Sequence, residues 1–302
     1  MKKILLASGC SMTDSNYVSE TNPEIDCSWP KWPELIAKKL DMECINLGRS
    51  GAGNEYIYST LLQKILEKKD QIGLVMVGCT QCQRKDYQKW NIWKQTRFDS
   101  ALAQARLISK EIDPLGNITY IKHGANGAGD VFGWLRKTLR YMISLQLVCE
   151  RYNIPYKQFQ MINLFDGWTS GLSKTDEQLY ENRNNPNYEF KYTYSGDRNK
   201  DRIKLQKILM EYEPYINVKD FIGWPTTGVL GGYNVEEKTI KKSKKELDEL
   251  WNNINPKEQT MDNFLIERGY EFQKELIVSE WDQHPNGKGH EKIAEFLYDW
   301  LG

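Results

Sequence analysis

Near the C-terminus the chain reads Asp282-Gln283-His284-Pro285-Asn286-Gly287-Lys288-Gly289-His290, and two of its 3 histidines fall in this stretch. An aspartate two residues before a histidine, on a loop with proline and glycine, can set a carboxylate beside an imidazole. The carboxylate fixes the ring tautomer and stabilises the imidazolium, so the other ring nitrogen can take a proton from a hydroxyl. The bland use of His284 and His290 is as loop and helix-start residues making ordinary hydrogen bonds. A base also needs a nucleophile. Gly9-Cys10-Ser11 comes directly after the apolar run Ile4-Leu5-Leu6-Ala7-Ser8. A serine on a tight turn offers its Oγ for attack and its N–H to an oxyanion. Cys10 is the alternative nucleophile. Neighbouring side chains on an extended turn point apart, so only one of the two faces a shared site, and Ser11 is preferred. The competing use of Ser11 or Thr13 is to cap the next segment.

An oxyanion needs further donors. Asn46-Leu47-Gly48-Arg49-Ser50-Gly51-Ala52-Gly53-Asn54 carries glycines whose backbone N–H groups can approach a ligand closely. Gly51, Asn54 and the pair Thr80-Gln81 are the candidate donors. The glycines at 48, 51 and 53 are spaced G-x-x-G-x-G, a weak match to the dinucleotide fingerprint, and so is GANGAG at 124–129. Cys79 and Cys82 form a single CxxC with no second pair, so neither a metal nor a redox role is assigned to them.

These residues must be positioned by elements. Lys3–Ser8, Met42–Leu47 and Ile72–Val77 read as short buried strands, each stopped by a glycine. Trp32–Leu40 and Asn54–Lys69 have helical spacing between them. Three such units imply a parallel, doubly wound sheet with right-handed crossovers, whose carboxyl edge collects the loops carrying Ser11, Gly51 and Thr80. Further along, Phe98–Ile112 reads as helix, Ile118–Lys122 as a short strand and Val131–Tyr152 as the longest helix. Tyr156–Ile162 reads as a fourth strand, Asp220–Trp224 as a fifth, and Glu291–Leu301 as a closing helix. The stretch at about 165–275 has weak periodicity and many Asn, Tyr, Trp and Lys residues. It is expected to be a cap or insertion on a single domain spanning 1–302.

Bulk properties exclude other classes. The 302 residues can bury a sizeable core, and Lys+Arg and Asp+Glu are both 41. The basic footprint of a nucleic-acid binder is therefore absent from the total. The lysine-rich run at 238–250 alternates with acids and reads as a solvated helix face. No apolar run approaches the ~18–20 residues needed to cross a bilayer. Ile4–Ala7 is also far short of the ~7–15 residue apolar region of a secretory signal. The lipoprotein-like Ala7-Ser8-Gly9-Cys10 is accordingly read as strand and turn, and a cytoplasmic location away from membranes is expected. Nothing in the sequence speaks to oligomeric state.

The order Gly-x-Ser after strand one, a glycine/asparagine loop after strand two, a Gly-x-polar turn after strand three and a C-terminal Asp/His pair resembles the SGNH (GDSL-type) hydrolase superfamily. The likeness covers four short blocks. It implies a three-layer α/β/α, flavodoxin-like fold and ester or acyl chemistry without metal or organic cofactor. Carried over by position, Ser11 is the nucleophile, His284 the base and Asp282 its orienting acid, with Ser11 N–H, Gly51 N–H and a third-block side chain as the oxyanion hole. The chain departs from the pattern at three points. Asp282 lies two residues before His284, whereas the family spacing would put the acid at Trp281. Cys10 stands where the family has Asp, and Thr80, beside Gln81, where it has Asn. Thr80 with Arg84 nearby resembles a divergent branch of phage and environmental sequences.

The expected activity is that of a serine esterase or acyltransferase on an O-acylated substrate. A carbohydrate ester is preferred, because Trp168, Tyr180, Tyr188, Tyr192, Tyr194 and Trp224 could form platforms for sugar rings or, equally, the insertion's own core. The rival reading is a catalytically weak or inactive binding or structural protein on the same scaffold, for example in a phage. A second rival, a nucleotide-binding protein, rests on the glycine loops.

Overall fold

The first strand shows how the sequence builds the sheet. All five residues of β1 (Ile4–Ser8) are buried, which is the fate of a strand covered on both faces. Ile4 and Leu6 point to one side, Leu5 and Ala7 to the other. The computed structural model describes residues 2–82, 84–89, 92–98, 107–112, 118–123, 131–162, 164, 208–209, 211–222, 275–279, 282 and 284–302.

Along the chain come α1 (Trp32–Lys39), β2 (Glu43–Asn46), α2 (Asn54–Lys68), β3 (Ile72–Cys79), β4 (Lys85–Lys89), β5 (Ile92–Phe98), β6 (Leu107–Ile112), β7 (Ile118–His123), α3 (Val131–Arg151), β8 (Tyr156–Gln160), β9 (Phe221–Ile222) and α4 (Gly287–Trp300). Five of the strands form a parallel sheet in the order β2-β1-β3-β8-β9. Ile4, Leu6, Val75 and Val77 meet Ile57 and Leu61 of α2 and Leu135 and Leu139 of α3. On the opposite face Leu5, Ala7, Leu74, Met76 and Phe159 meet Trp32 and Ile36 of α1 and Ile293 and Leu297 of α4. The result is the expected three-layer α/β/α, doubly wound architecture, with β1 flanked by β2 and β3. Among the described residues no helix is long and apolar enough to cross a membrane.

Two expectations need correction or restriction. The described part of the expected helix Phe98–Ile112 is strand: β5 ends at Phe98, and Leu107–Ile112 belongs to a separate antiparallel sheet, ordered β4-β5-β6-β7, while 99–106 lie outside the described residues. Residues 107–112 find a partner over their whole length in β7, from Ile112 opposite Ile118 to Leu107 opposite His123. Pairing of this kind overrides local helical propensity. The chain therefore makes an excursion between β3 and α3, and its last strand, β7, falls on the short strand expected at Ile118–Lys122. The expected insertion at about 165–275 falls mostly outside the described residues, as does the GANGAGD loop at 124–130.

Candidate active site

The turn that carries Ser11 begins where β1 leaves the sheet. Thr13 N–H donates to Cys10 O (2.8 Å), closing a four-residue turn with Ser11 at its second position. Thr13 is fully buried and anchors the turn. Its Oγ1 accepts from Trp32 Nε1 (3.1 Å) and its backbone oxygen from Asn46 Nδ2 (2.7 Å). Gly9 makes this closure possible, because a Cβ there would fall 2.1 Å from Thr13 Oγ1. Ser11 is 9 % exposed.

The other arm comes from the far end of the chain. Asn286 caps α4, accepting Gly289 N–H at 3.0 Å, and its Nδ2 ties the loop to Glu275 O and Ile277 O. Val278 N–H donates to His284 O (2.9 Å), and Ile277 bridges Pro285. Residues 275–279 thus brace the loop that carries Asp282 and His284. His284 Nε2 lies 2.7 Å from Ser11 Oγ, and His284 Nδ1 lies 2.6 Å from Asp282 Oδ1. Asp282 Oδ1 also accepts the His284 backbone N–H at 3.1 Å. Burial raises the Asp282 carboxyl, but hydrogen bonds from Ser19, Tyr17 and His284 outweigh it and hold the group below its ordinary range. An ionised Asp282 keeps the proton on Nδ1 and the lone pair of Nε2 towards Ser11. His290 stands apart from this cluster. It is buried in α4 with Nδ1 unpartnered among the described residues, and burial pushes it down to about 3.

The loop after β2 docks against the Ser11 turn through Arg49 N–H to Gly9 O (3.1 Å). Ala52 N–H returns to Arg49 O (3.0 Å), and Gly51 sits at the third position of this turn with φ +75°, a left-handed geometry suited to glycine. Asp14 fixes the turn, its Oδ2 accepting both Ser50 N–H and Ser50 Oγ at 2.7 Å. Among the described residues, neither Ser11 N–H nor Gly51 N–H has an acceptor, so both are available to a ligand.

Asn54 and Thr80 do not join them. Asn54 Oδ1 accepts Thr80 N–H (2.9 Å), and Nδ2 donates to Thr80 O (2.8 Å) and Thr138 Oγ1 (3.4 Å). Both amide protons of Asn54 are used, and none is left for an oxyanion. The Thr80 hydroxyl is completely buried, with no partner among the described residues. Gln81 is half-buried and its carboxamide oxygen accepts from Arg84 Nε. Cys10 is fully buried against the α1 and α4 side of the sheet, which removes it as a nucleophile in this conformation. Cys79 and Cys82 are buried and form no disulfide among the described residues, and burial raises both thiols, Cys82 to about 12.

The phosphate position that a nucleotide would use at the start of α2 is already filled. Asp86, from β4, accepts Gly53 N–H (2.9 Å) and Tyr56 N–H (2.9 Å) with its Oδ2. Asp86, Asp14, Tyr17, Ser19 and the 275–279 brace had no spacing signal in the sequence. Only the folded chain assembles them around the Ser11 and His284 loops.

No family model matches the chain, and no curated protein matches its sequence. Solved structures do resemble it. One is the psychrotrophic esterase EstA from Pseudoalteromonas sp., at 11% identity and TM-score 0.37, covering 99% of this chain and 96% of that one. Another is an acetyl xylan esterase, Est2A, from Butyrivibrio proteoclasticus, at 12% identity and TM-score 0.26, covering 59% and 53%. A third, from Desulfitobacterium hafniense, is assigned to the G-D-S-L lipolytic family and resembles this chain at 12% identity and TM-score 0.29, covering 60% and 74%.

Proposed function

We propose that the chain is a serine hydrolase of the SGNH type acting on an O-acyl ester. One observation carries the reading: a continuous line from Ser11 Oγ to His284 Nε2 (2.7 Å) and from His284 Nδ1 to Asp282 Oδ1 (2.6 Å). These are the separations general-base activation of a serine requires. Ser11 Oγ attacks the ester carbonyl while its proton passes to His284 Nε2. Asp282 stabilises the imidazolium. Ser11 N–H and Gly51 N–H receive the oxyanion. Collapse breaks the ester C–O bond, and the leaving alkoxide takes the proton from His284. Water then attacks the acyl-enzyme, giving its proton to His284, and the acid leaves as Ser11 Oγ is reprotonated. With an acceptor hydroxyl in place of water the same steps transfer the acyl group. A carbohydrate ester remains the preferred substrate class. The aromatic residues that suggest it, Trp168 to Trp224, lie outside the described residues.

The binding-protein reading draws on one specific feature. With Asn54 committed at the start of α2 and the Thr80 hydroxyl buried in the turn after β3, neither residue offers a free side-chain donor. An oxyanion hole lacking one donor loses roughly 10²–10³ in turnover. A slow enzyme is therefore proposed rather than an inert one. The test is hydrolysis of a short-chain aryl ester by the wild type and by Ser11→Ala, with fluorophosphonate labelling of both. Hydrolysis and labelling that disappear with Ser11 are expected. Equal rates in the two proteins would remove the serine mechanism.

A further inference from the structure

The acid of the site has a third partner. Tyr17 lies on the loop that leaves the nucleophile turn, 265 positions before Asp282, and its side chain is buried. Its hydroxyl is 2.6 Å from Asp282 Oδ2 and 2.9 Å from His284 Nδ1. Its ring packs on the imidazole with centroids 4.4 Å apart and planes inclined by 31°. Ser19, on the same loop and also buried, favours the charged form of Asp282 as well.

A phenol has one proton to give. The carboxylate oxygen at 2.6 Å is the stronger and closer acceptor, so the proton goes to Asp282 Oδ2. Burial, with the Asp282 carboxylate beside it, pushes the phenol well above its ordinary range and keeps it protonated. The Tyr17 oxygen lone pairs then face His284 Nδ1, whose single N–H is shared between Asp282 Oδ1 and Tyr17 Oη. We infer that Tyr17 is a positioning residue of this site: it orients the Asp282 carboxylate by donating to Oδ2, and it holds His284 in the tautomer and ring plane that aim Nε2 at Ser11. The inference rests on the serine-hydrolase reading for its catalytic consequence, while its geometric content is independent of it. The aromatic ring fills the side of the imidazole that would otherwise be open to rotation. The hydroxyl occupies the carboxylate oxygen that His284 does not use.

The test is Tyr17→Phe, which keeps the ring and removes the hydroxyl, measured alone and in an Asp282→Asn background. With the wild-type acid, kcat for the aryl ester is expected to fall about ten- to a hundredfold with KM little changed, the loss typical of a hydrogen bond to a charged group. In Asp282→Asn the same change should cost less than about threefold, because Tyr17 acts through the carboxylate. A purely structural role would give the same factor in both backgrounds, and that result overturns the inference. Proton NMR gives a second readout that needs no turnover. A low-field His284 Nδ1–H resonance is expected in the wild type, absent in His284→Ala and displaced in Tyr17→Phe. An undisplaced resonance also overturns the inference. If Ser11→Ala leaves hydrolysis unchanged, the serine mechanism falls, while the NMR comparison still decides whether Tyr17 holds the imidazole.

Discussion

Asn54, the first residue of α2, and Thr80, just past β3, exchange two hydrogen bonds: Thr80 N–H to Asn54 Oδ1 and Asn54 Nδ2 to Thr80 O. Both residues are buried. A side-chain amide thereby stands in for a strand partner at the point where β3 leaves the sheet. The arrangement fixes the third loop of the site from behind rather than from within the substrate space.

Replacing Asn54 by Ala should therefore act on stability first. It leaves a buried N–H and a buried C=O of Thr80 unpaired, at about 1–3 kcal/mol each. Chemical denaturation should show a loss of about 2–6 kcal/mol, and activity per folded molecule should fall only as far as the loop shifts. A variant with unchanged stability and a lost kcat would return Asn54 to the oxyanion hole.

Ser11, His284 and Asp282 should behave as one unit. Ser11→Ala and His284→Ala should each lower kcat for an aryl ester by about 10⁴-fold or more, and the double variant should be no worse than the singles. Asp282→Asn should retain the loop geometry and lose roughly 10⁴-fold through the wrong tautomer. Multiplicative losses in the double variant would mean that the serine and histidine act separately.

The parts of the fold that were readable from sequence are those in which local pattern and tertiary environment agree. Ile4–Ser8 is apolar almost throughout because both of its faces are covered, and Ser11, Asp282 and His284, singled out by residue type, lie within hydrogen-bond distance in one line. The misreadings have a common physical origin. Leu107–Ile112 became a strand because β7 pairs with it, and no local propensity records a partner. Asn54 looked like a free donor at a glycine loop, yet its amide is consumed by Thr80, 26 positions away. Tyr17 and Asp86 act across distances in sequence that spacing cannot encode.

Asp86 gives the fold a distinctive pH response. Burial raises its carboxyl from 3.8 to about 6, against the backbone N–H groups of Tyr56 and Gly53 that favour the charged form. An acid whose pKa is higher in the folded state binds more protons there. Its contribution is therefore fully present below about pH 4 and is lost as pH rises through about 6. The change amounts to about 3 kcal/mol. Denaturation of the wild type at intervals from about pH 4 to 7 should show this decline on top of the other titrations, and Asp86→Asn should flatten it. Parallel curves for the two proteins would show that Asp86 ionises normally.

The buried thiols should be inert. Cys10, Cys79 and Cys82 lie in the core, and burial raises Cys79 and Cys82 away from the thiolate form. An aromatic disulfide reagent at about pH 8 should therefore leave all three unmodified in the native protein and react with them within minutes in denaturant. Cys10→Ala should keep fluorophosphonate labelling. Loss of labelling in Cys10→Ala, with the fold intact, would move the nucleophile to Cys10.

Asp14 should support the oxyanion arm without touching substrate. Its Oδ2 holds Ser50 through both N–H and Oγ, and Ser50 immediately precedes Gly51. Removing the carboxylate frees a turn whose third residue needs φ +75° to present its N–H. Asp14→Ala is expected to lower kcat about ten- to a hundredfold, approaching the loss of one oxyanion donor, with a smaller effect on KM. Gly51→Ala should give a loss of the same kind, because an L side chain disfavours the left-handed geometry. The two changes combined should cost little more than the larger one, since both disable the same N–H. Full turnover in Asp14→Ala would place the oxyanion donors elsewhere on the site, with Gln81 the next residue to substitute.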